Sequence, residues 1–178
     1  MLFRSAMLRH TETARSLAID FAADPSQTLA SISGEQIKQL ISGAKFLFLN
    51  EYELELTLKK TGWSNEELLN QVGVRITTMG GKGSRVEEKG KAPILIGVPE
   101  VSNIVDPTGV GDSYRSGFIA GLAWGVSLER CAQIGAILAA FCLETKGTQE
   151  YRFDKSEFIS RFENTFGASA AAEISSKL

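Results

Sequence analysis

The residues best suited to chemistry lie in Asp106-Pro107-Thr108-Gly109-Val110-Gly111-Asp112-Ser113-Tyr114-Arg115-Ser116-Gly117-Phe118. Gly109 and Gly111 let the backbone approach a ligand closely and take up unusual dihedrals. A turn of this kind feeding a helix can offer the amides of residues 109–112 to an anion, aided by the positive helix end. A carboxylate beside such a site repels a bound phosphate, so Asp112 needs a reason to be there. Taking the proton of a hydroxyl that attacks the phosphate is one. Taken alone, the run also reads as a tight turn with Asp112 as a helix cap. Two rival phosphate motifs are excluded. The chain has no Gly-Lys-Ser or Gly-Lys-Thr, and Tyr114 stands where a dinucleotide fingerprint needs its third glycine.

Two further groups have suitable residue types. Thr78-Met79-Gly80-Gly81-Lys82-Gly83 can cradle nucleotide phosphates with amides, a hydroxyl and Lys82, or simply form a hairpin turn. In Asn50-Glu51-Tyr52-Glu53, positions three apart share one helix face. An amide and a carboxylate there can hold water around magnesium, which prefers oxygen and keeps several waters. The plain alternative is Asn50 as a helix cap, with Glu53 favouring the helix dipole.

These groups need elements to hold them. The pattern predicts helices over 6–17, 33–41, 52–60, 110–124, 127–144, 154–165 and 168–176, with residues 62–67 breaking the third and capping a further helix. Strands are expected at 17–23, 45–50, 74–79, 84–88 and 94–98, the last two as an antiparallel pair. The short apolar run 45–50 has the composition of a central parallel strand. Alternating strands and helices imply an α/β sheet with helices on both faces. Ligands of such sheets bind beyond the carboxyl ends of the strands, where all three motifs fall.

The 178 residues, 43% hydrophobic, support a sizeable core. A formal net charge of -2 gives no electrostatic case for nucleic acid. No apolar run reaches the roughly 18 residues of a membrane span, so no membrane role is expected, and the cytoplasm fits. Cys131 and Cys142 are about three helical turns apart and are expected to be buried thiols on one face. His10 is the only histidine and is expected at the surface, which argues against histidine-based triads and metal clusters. Met1-Leu2-Phe3-Arg4-Ser5 joins poorly to the helical pattern beginning at Ala6. These five residues are expected to be a non-native assembly scar, with the native protein beginning further upstream and residues 6–178 forming the C-terminal part of one domain.

The run from Asp106 resembles the C-terminal signature of the ribokinase-like, or PfkB-type, carbohydrate and nucleoside kinases. Asn50 to Glu53 matches that family's Asn-x-x-Glu. Thr78 to Gly83 matches its Thr-x-Gly-x-x-Gly, and Asp24-Pro25 its strand-end Asp-Pro. Residues 127–133, 143–151 and 170–174 resemble the bacterial adenosine kinases within the family.

The resemblance implies a three-layer α/β sandwich with a mostly parallel sheet, here without the N-terminal part and lid. It implies Asp112 as catalytic base and Gly109, Val110 and Gly111 as anion hole. It also implies Thr78, Gly80 and Gly83 as nucleotide contacts, and Asn50 and Glu53 as organisers of magnesium. Asp106 and Thr108 match positions that help bind potassium in some members. Pro107 departs from the commoner threonine but donates nothing, so the flanking carbonyls stay free. The implied cofactors are ATP, Mg2+ and K+. The implied partner is a small nucleoside or sugar acceptor, and a homodimer is expected of the full-length protein. The expected reaction is phosphorylation of a primary hydroxyl, adenosine to AMP. A sugar kinase for ribose or fructose, and a truncated nucleotide-binding fragment without turnover, stand as alternatives.

Overall fold

The computed structural model describes residues 2–178, with side chains from Ser5 onward. The chain divides into two compact units, Met1–Met79 with Arg85–Ile94, and Gly80–Ser84 with Leu95–Leu178.

The first unit starts with helix α1 (Leu2–Ser16). Residues 2–5, expected to be non-native, continue this helix, and Met1 lies outside the described residues. The strand expected over 17–23 is a correction: only Ala22–Ala23 (β1) is extended. Leu17 and Ile19 are exposed, and Ala18 has a φ of 53°. The backbone turns here, where a strand would have to run straight. A 3-10 turn (Ser26–Ala30) and helix α2 (Gly34–Ile41) come next. Then come β2 (Phe46–Asn50), α3 (Glu51–Thr61), α4 (Asn65–Asn70) and β3 (Val74–Thr78). Both β1 and β3 pair with β2 in parallel. Leu47, Phe48 and Leu49 are all buried, as a strand covered on both faces requires. Leu47 and Leu49 join Leu29, Ile37, Ile41 and Leu68 in the core of this unit.

Strand β3 also buries a charge. Arg75 is 2% exposed, and its Nε and Nη2 donate to Glu87 Oε2 at 3.0 and 2.9 Å. Its Nη1 donates to Asn65 Oδ1 at 3.1 Å. A buried guanidinium needs such partners, because an unpaired one costs several kcal/mol.

After β3 come a 3-10 turn (Gly80–Lys82), β4 (Ser84–Glu88) and β5 (Ile94–Ile96), the last shorter than expected. The five strands take the order β1-β2-β3-β4-β5 in one sheet. The second unit holds α5 (Val110–Trp124), α6 (Leu128–Leu143), α7 (Lys155–Phe166) and α8 (Ala168–Ser175).

Helices α5 and α6 approach closely through glycine. A Cβ on Gly117 would lie 2.8 Å from Gly135 Cα, and one on Gly121 2.8 Å from Cys131 Cα. The small residues of α6 are therefore explained by packing. On its other side α6 joins Phe158, Phe162 and Ile174 in a second core. Cys131 and Cys142 are both buried, and burial pushes the Cys131 thiol up to about 11. His10 is exposed, as expected.

Candidate active site

Asn50 ends β2 and caps α3. Its Oδ1 accepts from Glu53 N at 2.8 Å, and Glu53 Oε2 accepts from Asn50 N at 2.8 Å. This reciprocal box satisfies two helix-end amides. The plain structural role of both residues is therefore realised. Glu53 Oε1 and the Asn50 side-chain nitrogen stay outside it. Thr78 ends β3 and is the register partner of Asn50 across the parallel pair. The first unit thus brings these two predicted residues to adjacent strand ends.

In the second unit, Gly80 has a φ of 56°, and nothing lies within 4 Å of where its Cβ would be. Gly83 is different. Its φ is 94°, and a Cβ there would fall 1.9 Å from the Ile96 carbonyl oxygen. Only glycine permits that approach, so Gly83 has a structural reason of its own. Next to it, Ser84 Oγ and Tyr114 Oη are hydrogen-bonded at 2.7 Å. Tyr114 is 5% exposed, and its burial pushes the phenol pKa upward.

Asp106 staples two loops. Its Oδ1 accepts from Thr108 N at 2.9 Å and its Oδ2 from Gly147 N at 3.1 Å. The side-chain and backbone hydrogen bonds of Thr108, then that of Gly147, hold this carboxyl below its usual range. Cys142 Sγ lies 3.5 Å from the Thr108 carbonyl oxygen, beneath the same turn.

Gly109 is the N-cap of α5. It has a φ of 82° and supplies no capping side chain. A Cβ on it would meet Thr148 Cβ at 2.8 Å. Of the first amides of α5, Val110 N reaches the Pro107 carbonyl at 3.4 Å and Ser113 N reaches that of Gly109 at 2.8 Å. The amides of Gly109, Gly111 and Asp112 belong to the set that no helix satisfies internally. They are left for a ligand or water, with Asp112 directly beside them. The Asp112 side chain is 77% exposed, and its Oδ1 accepts from Arg115 Nη2 at 2.7 Å.

Arg115 was missed by sequence reasoning, although its place three residues after Asp112 on a helix is a legible pairing signal. A second missed cluster ties the segment before the motif to the end of α6. Arg161 donates from Nη1 to Glu144 Oε2 at 2.6 Å and from Nη2 to Glu144 Oε1 at 2.9 Å. It also donates to the Glu100 carbonyl at 2.6 Å and lies over the Phe141 ring at 4.8 Å. Ser102 N donates to Glu144 Oε1 at 3.0 Å. No local spacing signals this cluster. Among the described residues, no group of three or more His, Cys, Asp or Glu side chains forms a metal centre, and no helix is long and apolar enough to cross a membrane.

Residues 3–154 match the model of the pfkB family carbohydrate kinases. A nucleoside kinase of Methanocaldococcus jannaschii is 39% identical over 126 residues, covering 71% of this chain and 41% of that protein. A nucleoside kinase of Methanothermobacter thermautotrophicus is 32% identical over 157 residues, covering 88% of this chain and 50% of that protein. The chain thus spans about half the length of these curated relatives. The structure of a Burkholderia thailandensis nucleoside kinase in complex with inosine is similar at a TM-score of 0.87 and 29% identity, covering 92% of this chain and 55% of that one. With the glycine turn, its acid and the parallel strands in place, the chain belongs to the pfkB family and has the ribokinase-like fold.

Proposed function

We propose that the protein carrying this chain is an ATP- and magnesium-dependent kinase that phosphorylates the 5′-hydroxyl of a nucleoside, with adenosine as acceptor and AMP as product. The observation that carries this reading is the start of α5. It leaves the amides of Gly109, Gly111 and Asp112 without a capping side chain and sets the exposed carboxylate of Asp112 beside them. Nucleoside kinases among the relatives support a nucleoside over a free sugar. The resemblance of residues 127–133, 143–151 and 170–174 to bacterial adenosine kinases supports adenosine.

In this reading Asp112 takes the proton of the acceptor hydroxyl. The hydroxyl oxygen forms a bond to the γ-phosphorus as the bond from phosphorus to the ADP oxygen breaks, and ADP leaves with that electron pair. The amides of Gly109, Val110 and Gly111 face the charge that gathers on the moving group. Thr78 and Gly80 contact the nucleotide phosphates, with Gly83 shaping the adjoining loop.

Asn50 and Glu53 fit a hydrated magnesium ion, because Glu53 keeps Oε1 outside the capping box and outer-sphere binding needs few protein oxygens. Magnesium, when bound, neutralises phosphate charge. Asp106 and Thr108 place a carboxylate and a hydroxyl on one turn as oxygen donors suited to potassium.

A phosphorylation screen tests the assignment. Protein expressed from the complete reading frame is given ATP and adenosine, inosine, cytidine, ribose or fructose. Adenosine should give the highest kcat/KM. A preference for ribose or fructose replaces the acceptor assignment, and no turnover on any hydroxyl rejects the kinase reading.

A further inference from the structure

The carboxylate of Asp112 stands beside amides suited to phosphate, and its charge opposes that ligand. Arg115, one turn along α5, folds back over this start. Its Nη2 donates to Asp112 Oδ1 at 2.7 Å, and a Cβ on Gly111 would come within 3.2 Å of its Nη1. The guanidinium therefore spans the acid and the glycine turn. Its side chain is only 25% exposed, against 77% for that of Asp112, so the cation is the better-held member of the pair. Oδ2 takes no part in that hydrogen bond, and the Asp112 side chain as a whole faces solvent.

We propose that Arg115 is a positioning residue of the phosphate site. It neutralises Asp112 toward the γ-phosphate and holds Oδ1, so that Oδ2 is the oxygen that takes the acceptor proton. This rests on the kinase reading above. A guanidinium suits the task because it keeps its charge at any working pH and its planar fork fixes direction.

The experiment is calorimetric binding of ATP and ADP to protein from the complete reading frame. The variants are Arg115→Ala, Arg115→Lys, Asp112→Asn and the double variant Asp112→Asn/Arg115→Ala, each with a thermal melt. Arg115→Ala should weaken ATP binding roughly tenfold, the effect of one uncompensated charge near a screened site. ADP, which lacks the γ-phosphate, should be affected less. Arg115→Lys should recover part of the loss. In the Asp112→Asn background, removal of Arg115 should cost clearly less ATP affinity, because the carboxylate that Arg115 holds is gone and only the cation's own attraction to phosphate is lost. A purely structural Arg115 would lower the melting temperature without this dependence on Asp112 or on the γ-phosphate. Equal ATP affinity of Arg115→Ala and wild type overturns the proposal, as does an equal loss in both backgrounds. A wild type that binds no ATP overturns the kinase reading and this proposal with it.

Discussion

Helices α3 and α5 both begin at predicted site motifs, yet their first turns are built in opposite ways. At α3 the chain caps itself, with Asn50 and Glu53 exchanging side-chain and backbone hydrogen bonds at 2.8 Å. At α5 the cap is Gly109, which has no side chain to offer. The acid of its first turn pairs outward with Arg115 where Glu53 pairs back to the backbone. A self-capped turn is complete without a ligand. A glycine-capped turn leaves amides unsatisfied, and a fold tolerates that where water or an anion fills the gap. Ser33, Ser64 and Asp154 repeat the self-capped solution at α2, α4 and α7, whereas α8 shares with α5 a glycine cap, Gly167, without a capping side chain.

The sharpest way to break this contrast is Asp112→Asn. Loss of a general base costs about 10²- to 10⁴-fold in turnover, so kcat should fall by that range while ATP affinity measured by calorimetry holds or improves. Turnover within a few-fold of wild type would reject Asp112 as the base.

Glu53→Gln tests the other helix. Glutamine also serves at the third position of a capping box, so the melting temperature should change little. If Glu53 organises magnesium through water, turnover should fall about 10- to 100-fold and recover partly at high magnesium. Unchanged turnover at every magnesium concentration leaves Glu53 as a cap alone, and the contrast with α5 becomes complete.

Gly109→Ala should cost about 1–2 kcal/mol from the left-handed backbone alone, and the Thr148 contact adds to that. ATP affinity should fall with stability, since the same turn supplies the amides. Retained stability and affinity, measured by denaturant melts and calorimetry, would show that the turn does not depend on glycine.

The smallest effect belongs to a carboxylate that serves structure only. Arg161 and, less strongly, Ser102 hold Glu144 below its usual pKa against an opposing effect of burial. A carboxyl lowered in the folded state stabilises above its unfolded pKa, and that stability is lost as pH falls through the folded value. Glu144→Gln should therefore cost about 1 kcal/mol near neutral pH, the upper end for a partly exposed pair. The difference from wild type should close in acid. A gap that persists at low pH would mean that packing, and not charge, holds the cluster.

Much of the site was legible because its signals are local. A glycine-rich run before a helical period, and Asn50 three residues before Glu53, can be read without partners. The boundaries of α3 and α5 obey the same logic, since caps and turns are set by neighbours in sequence. The strand expected over 17–23 failed because its apolar composition suits burial, while Ala18 takes a turn dihedral and leaves Leu17 and Ile19 exposed. Composition cannot report which apolar residues find a neighbour.

By itself, then, the sequence determined the alternating elements, the helix starts, the uncapped turn and its acid, because each depends on residues within a few positions. The tertiary structure alone decided that Gly83 must be glycine to pass the Ile96 carbonyl and that Asp106 joins Thr108 to Gly147. It also decided that Gly117, Gly121 and Gly135 serve the closeness of α5 and α6, and that Arg161 gathers Glu144 and Glu100. Those contacts join residues distant in the chain, and only folding brings their atoms within hydrogen-bonding or van der Waals range.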